Sequence, residues 1–332
     1  MNSLLTNTNE PEKIHFKEID ALKGWAIFLV ILGHAIIYFP VNLHQNYYCQ
    51  QLFDFIGSTH MQLFFAISGF CFVYRDNYQE FISKKVKRLL VPYIVFNLLD
   101  MLPRQFAAAF VNRPRSLSDS LERIIFNGGE LWFLYTLFII MAIYPLFKNF
   151  SQNNKYADFG LLILLLPLTI CNIPVSIFNI NIVCHYFFWF HLGNIAKNYL
   201  HFSPKPFTSN IILTMISMAI WFSLFKISSY QTMFGLTAVL TALSGIIFSL
   251  FLTGFNIFNQ IFADFGRFSL QLYILNGFTL VGSRIIICNL LDATSPLLII
   301  SFNILIDFLV AYLFIKYFCC KFHTLRFLMG IV

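Results

Sequence analysis

Lys23 and His34 stand eleven positions apart in the stretch KEIDALKGWAIFLVILGHAIIYF, residues 17–39. On a helix, eleven residues return to within about 20° of a full turn and rise about 16 Å. Both side chains therefore lie on one stripe, with Ile27 and Val30 between them and Asp20 one turn before Lys23. A cation and an imidazole are each costly in hydrocarbon, so a stripe carrying both suggests a cavity lined by protein. The imidazole suits a general base because it titrates near neutrality. The ammonium suits a phosphate or a developing negative charge. Asp20 is expected to pair with Lys23. A plainer reading is also open: His34 bonds to a neighbouring helix, and Lys23 snorkels to the headgroups.

A second group of cations, Lys84, Lys85, Lys87 and Arg88, lies just ahead of the apolar run that begins at Leu89. Lys85 and Arg88 share a helix face. They serve either as a positive-inside signal or as a pocket for the phosphates of a nucleotide-bearing donor. His60 opens the run HMQLFFAISGF at the mouth of a helix, either facing water or lining the same cavity from its other end. Ser68-Gly69 reads as a small pair that lets helices approach. Glu130 and Trp132 begin another run; Trp132 fits an interfacial belt, and Glu130 could accept a proton from a sugar hydroxyl. His185, His191, Arg284 and Asp307 are read as helix-pairing residues. The seven Cys show no CxxC and read as small core residues, and no metal spacing, Walker loop or dinucleotide-binding fingerprint occurs.

These residues need a scaffold, and the composition supplies one. The chain is 58% hydrophobic, holds 42 Phe and is 11% charged, less than half the charge of an ordinary soluble domain at about 25%. The expectation is an all-α, polytopic membrane bundle of about ten transmembrane helices, forming one integral domain over residues 1–332. Residues 1–18 form an N-terminal arm and residues 321–332 a short basic tail. Ala21–Phe39 is an anchor without a cleavage site. Pro167 and Pro174 predict a kinked or re-entrant segment between residues 159 and 181. Lys and Arg crowd on one side of the bundle when both termini are cytoplasmic. The exception is the connection from Pro103 to Glu130, with four Arg, read as an outer amphipathic segment or part of an acceptor site. The net charge of +7 follows from those connections and does not point to nucleic acid.

In order and spacing, several blocks resemble the acyltransferase-3 family of integral membrane acyltransferases, and within it the branch similar to fucose 4-O-acetylases. They are Ile19–Ile27 running to Gly33-His34, His60–Phe70, the basic run into Pro92, Leu131–Leu134 with Tyr144-Pro145, and Phe265–Tyr273. The resemblance implies ten helices in a bacterial inner membrane. It implies transfer of an acyl group, most often acetyl, from acyl-CoA to a hydroxyl of a cell-surface carbohydrate, free or lipid-linked. Acyl-CoA is then a co-substrate, with no tightly bound cofactor and membrane lipids as surroundings. By the family's pattern His34 is the essential histidine and Lys23 its basic partner, while Lys85 and Arg88, with Lys84 beside them, serve the donor. Two departures stand out. Many members carry Arg at the position of Lys23, and many carry His where Asn276 stands, which argues against proton transfer by the late helix. The alternative is a polysaccharide exporter or flippase that uses the same polar stripe without acyl transfer.

Overall fold

The computed structural model describes residues 16–37, 41–75, 77–106, 115–151, 154–175, 177–199, 210–228 and 234–331, and among these it is helical without strands. Arg113 and the arm before Phe16 lie outside the described residues. The first helix, α1 (Lys17–Ile37), is the central element. Glu18 and Asp20 sit in its first turn, where the helix dipole favours acids. Its apolar residues are buried along the whole length, from Ile19 through Ile27 and Val30 to Ile36. Outer helices differ: α10 (Ile211–Ser228) and α14 (Pro296–Cys319) expose broad apolar faces, including Ile212, Met215, Leu297, Leu305 and Leu309. Such a belt fits lipid and not water.

The apolar stretch from Phe53 to Tyr74 does not form one long helix. It divides at Ser58-Thr59 into α2 (Tyr47–Gly57) and α3 (His60–Phe70). Ser58 Oγ turns back to the Phe55 carbonyl at 2.7 Å and accepts the indole N–H of Trp221 at 3.1 Å, which pins the break. His60 therefore opens a helix, as its position suggested. The basic segment forms α4 (Tyr78–Lys85) and a π turn (Val86–Leu90), leading into α5 (Val91–Phe106). The Arg-rich connection contains a short amphipathic helix, α6 (Leu117–Phe126), capped by Ser116 Oγ on the Asp119 N–H at 3.1 Å. Next come α7 (Trp132–Ser151), α8 (Lys155–Ile170) and α9 (Ile180–Tyr199). Pro167 sits inside α8 without ending it.

Five helices among the described residues are long and apolar enough to span a membrane, or six if α11 (Leu236–Leu252) and α12 (Asn256–Arg267) count as one broken span bent by 109°. Several of the other apolar runs form helices too short to qualify, such as the α2–α3 pair and α8. Sequence periodicity left α12 unassigned because Asn259, Gln260, Asp264 and Arg267 make it too polar to stand out as a span. It nonetheless packs directly on α1. Gly24 meets the Phe262 carbonyl and the Gly266 backbone, and Gly266 meets the Asp20 carbonyl, so the two helices touch backbone to backbone. A Cβ at Gly24 has no room, because the obstacle is main chain and not a flexible side chain. Gly24→Val should therefore cost more than the usual ~1–3 kcal/mol of overpacking. The expected result is loss of monodisperse protein in detergent, while Gly160→Ala, which meets open space, behaves as wild type.

The α13 helix (Ser269–Ile285) lies beside α1 and continues through a π turn to Leu290. Its Arg284 is fully buried and donates to the Ala35 and Val41 carbonyls, both at 2.5 Å. A guanidinium at the last turn of α1 satisfies an end carbonyl and suits the negative end of the dipole. The pairing expected of Arg284 thus fixes the turn that carries His34. His185 and His191 also pair helices. His185 Nδ1–H donates to the Thr169 carbonyl at 3.0 Å. His191 Nε2–H donates to the Asp158 carbonyl at 2.8 Å and accepts Tyr144 O–H at Nδ1, also 2.8 Å.

Candidate active site

The two ends of α1 face two different environments. At the first end Lys23 Nζ lies 3.1 Å from Asp20 Oδ1, the pair expected from their spacing. Arg267 of α12 approaches the other oxygen of Asp20 at 3.9 Å. Lys23 and Asp20 line a cavity of about 710 Å³ whose other walls come from the end of α3, the segment that follows it, α4, the π turn and α9. Lys84, Lys85 and Arg88 all line it, so the three donor candidates and Lys23 meet in one space. Arg75 and Lys197 join them. Neither was picked out from sequence, because each reads as an ordinary boundary cation. Six cations thus face two acids, Asp20 and Glu80, and Glu80 is taken up by Lys84 at 2.5 Å. The excess positive charge suits a ligand with several phosphates.

Lys85 is strongly perturbed. Burial, with Arg88 close by, pushes its ammonium down to about 8, and its Nζ lies 5.0 Å over the Phe81 ring. The ammonium is therefore charged below pH 8 and is lost as pH rises through that value. If it meets a phosphate only when charged, affinity for a phosphate-bearing ligand should fall up to about tenfold between pH 7 and pH 9. Lys85→Arg should remove that fall, since a guanidinium stays charged. Calorimetric titration across that range checks both.

At the far end of α1, His34 turns into the bundle. Asn276 of α13 lies against it, with Nδ2 2.7 Å from His34 Nδ1. His60 at the start of α3 and Glu130 just before α7 lie near His34. His60 Nδ1–H donates to the Ile56 carbonyl at 2.8 Å, which places its lone pair on Nε2. Glu130 is held from both sides: Arg115 Nη1 reaches its carboxylate at 2.6 Å, and its backbone N–H donates to Asn97 Oδ1 at 2.8 Å. Trp132 stacks on Tyr186, with ring centroids 5.6 Å apart. A small polar cleft beside Glu130 is lined by Asn97, Asp100, Arg115, Ser120 and Arg123. The Arg-rich connection therefore provides both an amphipathic helix and a polar lining.

Asn276 of the late helix faces the histidine and bonds to it through its amide. In this orientation Nδ2 donates to His34 Nδ1, which leaves the proton on Nε2. Rotation of the amide by 180° puts Oδ1 there instead. It then accepts Nδ1–H and leaves Nε2 as the base. Asn276 Oδ1 is buried without a hydrogen-bond partner, so the rotation supplies one. One turn further along α13, the Thr279 hydroxyl donates to buried Asp307, which ties α13 to α14.

The cavity ends at Ile19, Lys23 and Phe70, and His34 is not among its walls. Ile27 and Val30, which lie between Lys23 and His34 on the stripe, are buried. In this conformation an apolar plug separates the basic cavity from the histidine cluster.

A polytopic helical membrane bundle with a basic cavity at one end of its central helix and a histidine cluster at the other is the class of protein these features define. The chain belongs to the acyltransferase-3 family, whose model, described as an acyltransferase domain, matches residues 16–316. It is 26% identical over 161 residues to nodulation protein NolL of Sinorhizobium fredii, covering 47% of this chain and 43% of that one. To nodulation protein NolL of Mesorhizobium japonicum it is 26% identical over 137 residues, covering 40% and 36%. To glucans biosynthesis protein C of Escherichia coli it is 28% identical over 158 residues, covering 42% and 41%. The matches thus span about two-fifths of the length of these relatives. No solved structure matches the chain.

Proposed function

We propose that this chain is a membrane O-acyltransferase that moves an acyl group, acetyl first among candidates, from acyl-CoA to a hydroxyl of a cell-surface carbohydrate. One observation carries the reading: α1 presents Lys23 to a cavity of basic side chains and His34 to a polar cluster three turns away. Membership of an acyltransferase family supports the chemistry. The name of the relative from Escherichia coli, a glucans biosynthesis protein, supports a carbohydrate acceptor. The basic cavity then faces the cytoplasm of a bacterial inner membrane, with both termini on that side, and residues 1–332 act as one domain.

Lys23, Lys84, Lys85 and Arg88 hold the donor's phosphates. The thioester arm runs along α1 and parts the plug at Ile27 and Val30; the rise of about 16 Å from Lys23 to His34 is the length it must cover. His34 Nε2 takes the proton from the acceptor hydroxyl, with Asn276 Oδ1 holding the opposite tautomeric proton. The acceptor oxygen forms its bond to the thioester carbonyl carbon, and the carbon–sulfur bond breaks. The thiolate takes up a proton, released from His34, and leaves as coenzyme A. His60, Glu130 and Trp132 border the acceptor, with Glu130 steadied by Arg115 and not acting as the base.

Purified protein incubated with acetyl-labelled acetyl-CoA and a cell-envelope glycan extract should transfer label to glycan in an alkali-labile ester. Binding of coenzyme A without any transfer to carbohydrate would remove the acceptor assignment. Glycan binding with no affinity for coenzyme A would favour an exporter instead.

A further inference from the structure

The chain beyond residue 316 lies outside the family match, yet it reaches back to the donor cavity. A short helix, α15 (His323–Leu328), is closed by a Schellman turn. Ile331 N–H donates to the Arg326 carbonyl at 2.8 Å, Gly330 N–H donates to the Phe327 carbonyl at 3.1 Å, and Gly330 has φ +64°. The turn is wedged into the protein. Met329 is buried, and its carbonyl accepts Gln271 Nε2–H of α13 at 3.0 Å. Gly330 abuts the backbone of Arg88, and a Cβ there would meet the Arg88 carbonyl group, with its carbon at 3.1 Å. That carbonyl belongs to the π turn Val86–Leu90, whose Arg88 lines the donor cavity directly after Lys85.

A π turn closes on i→i+5 hydrogen bonds and is frequent at functional sites. Its side chains point according to a register that neighbouring packing must hold. Here the support on the backbone of Arg88 comes from Gly330, and the support behind Gly330 comes from Gln271. We propose that residues 323–331 form a strut that sets the position of Arg88 and Lys85 over the donor cavity, so that this segment determines affinity for the phosphates of a nucleotide thioester. The inference rests on the donor reading above. Gly330 and Gln271 are positioning residues, since neither lines the cavity.

Cys71 offers a readout that needs no turnover. It is exposed and lines the same cavity, so a bound donor should shield it from maleimide. S-ethyl coenzyme A, whose sulfur is capped, serves as the probe, and labelling is read on the peptide that carries Cys71. Two variants of the full chain remove the strut differently. Gly330→Asn keeps a residue that tolerates positive φ but adds atoms against Arg88. Gln271→Leu removes the support without adding a clash. Gly160→Ala is the control. Half-protection should need at least about fivefold more probe in both strut variants than in wild type and control, with melting temperatures within a few degrees of one another. Strut variants that match a protected wild type overturn the strut alone. Losses that merely track melting temperature also overturn it, since the role is then structural. A wild type that the probe does not protect overturns the donor reading and the strut with it.

Discussion

His34→Gln should lower kcat by about 10²–10⁴, the range expected when a general base is removed, or about 3–5 kcal/mol of transition-state stabilisation. Glutamine is the informative replacement. Its amide can still bond to Asn276 and fill the space beside α13, so the structural share of the histidine is retained. The KM for acyl-CoA should stay within about twofold, because the basic cavity ends at Lys23 and Phe70, with Ile27 and Val30 buried between it and His34. A change in kcat alone is what removal of a transition-state interaction produces. The measurement is steady-state transfer of labelled acetyl with both substrates varied. His60→Gln should lose far less, since in the proposed mechanism that ring borders the acceptor and takes no proton from it. If the larger loss falls on His60, the two histidines exchange roles; if both variants keep full rate, the base mechanism is gone.

The stripe of Lys23 and His34 was legible because helix periodicity is simple arithmetic and because polar residues in so apolar a run carry information. The Asp20–Lys23 pair and the meeting of Lys84, Lys85 and Arg88 follow from short spacings on one face. What periodicity could not supply was the partner across helices. Asn276 lies 242 positions from His34, and nothing local marks an amide as the group that sets a tautomer. The departure from histidine at that position looked like a loss when it was read as a series of residue types, and the geometry makes it a hydrogen-bond partner. The helix α12 escaped for a different reason. Its polar residues cancel the apolar signal, while its close approach to α1 depends on Gly24 and Gly266, two glycines that become meaningful only as a pair. Arg75 and Lys197 were hidden among cations that the positive-inside rule already explained. The break at Ser58-Thr59 was hidden because hydroxyls are tolerated in membrane helices, and it is Trp221 on a distant helix that makes it a turn.

Replacing Lys85 and Arg88 together with alanine should raise the KM for acyl-CoA by about 10²–10³ and leave kcat at saturation within about threefold. Each charge-assisted contact to a phosphate is worth about 1.5–3 kcal/mol, and contacts made equally in ground and transition states appear in KM and not in kcat. The two effects should not simply add. Burial holds the Lys85 ammonium down first, and the nearby Arg88 charge holds it down further. Removing Arg88 alone relieves that repulsion, so Lys85 stays charged to higher pH and compensates in part. Arg88→Ala by itself should therefore shift the fall in donor affinity to higher pH and show a smaller loss at pH 9 than at pH 7, relative to wild type at each. The double variant has no such reserve and should lose the pH dependence altogether. A double-mutant cycle run at pH 7 and pH 9 measures this coupling directly. A flat cycle at both values would separate the two side chains, and a KM unchanged in the double variant would take the phosphates out of this cavity.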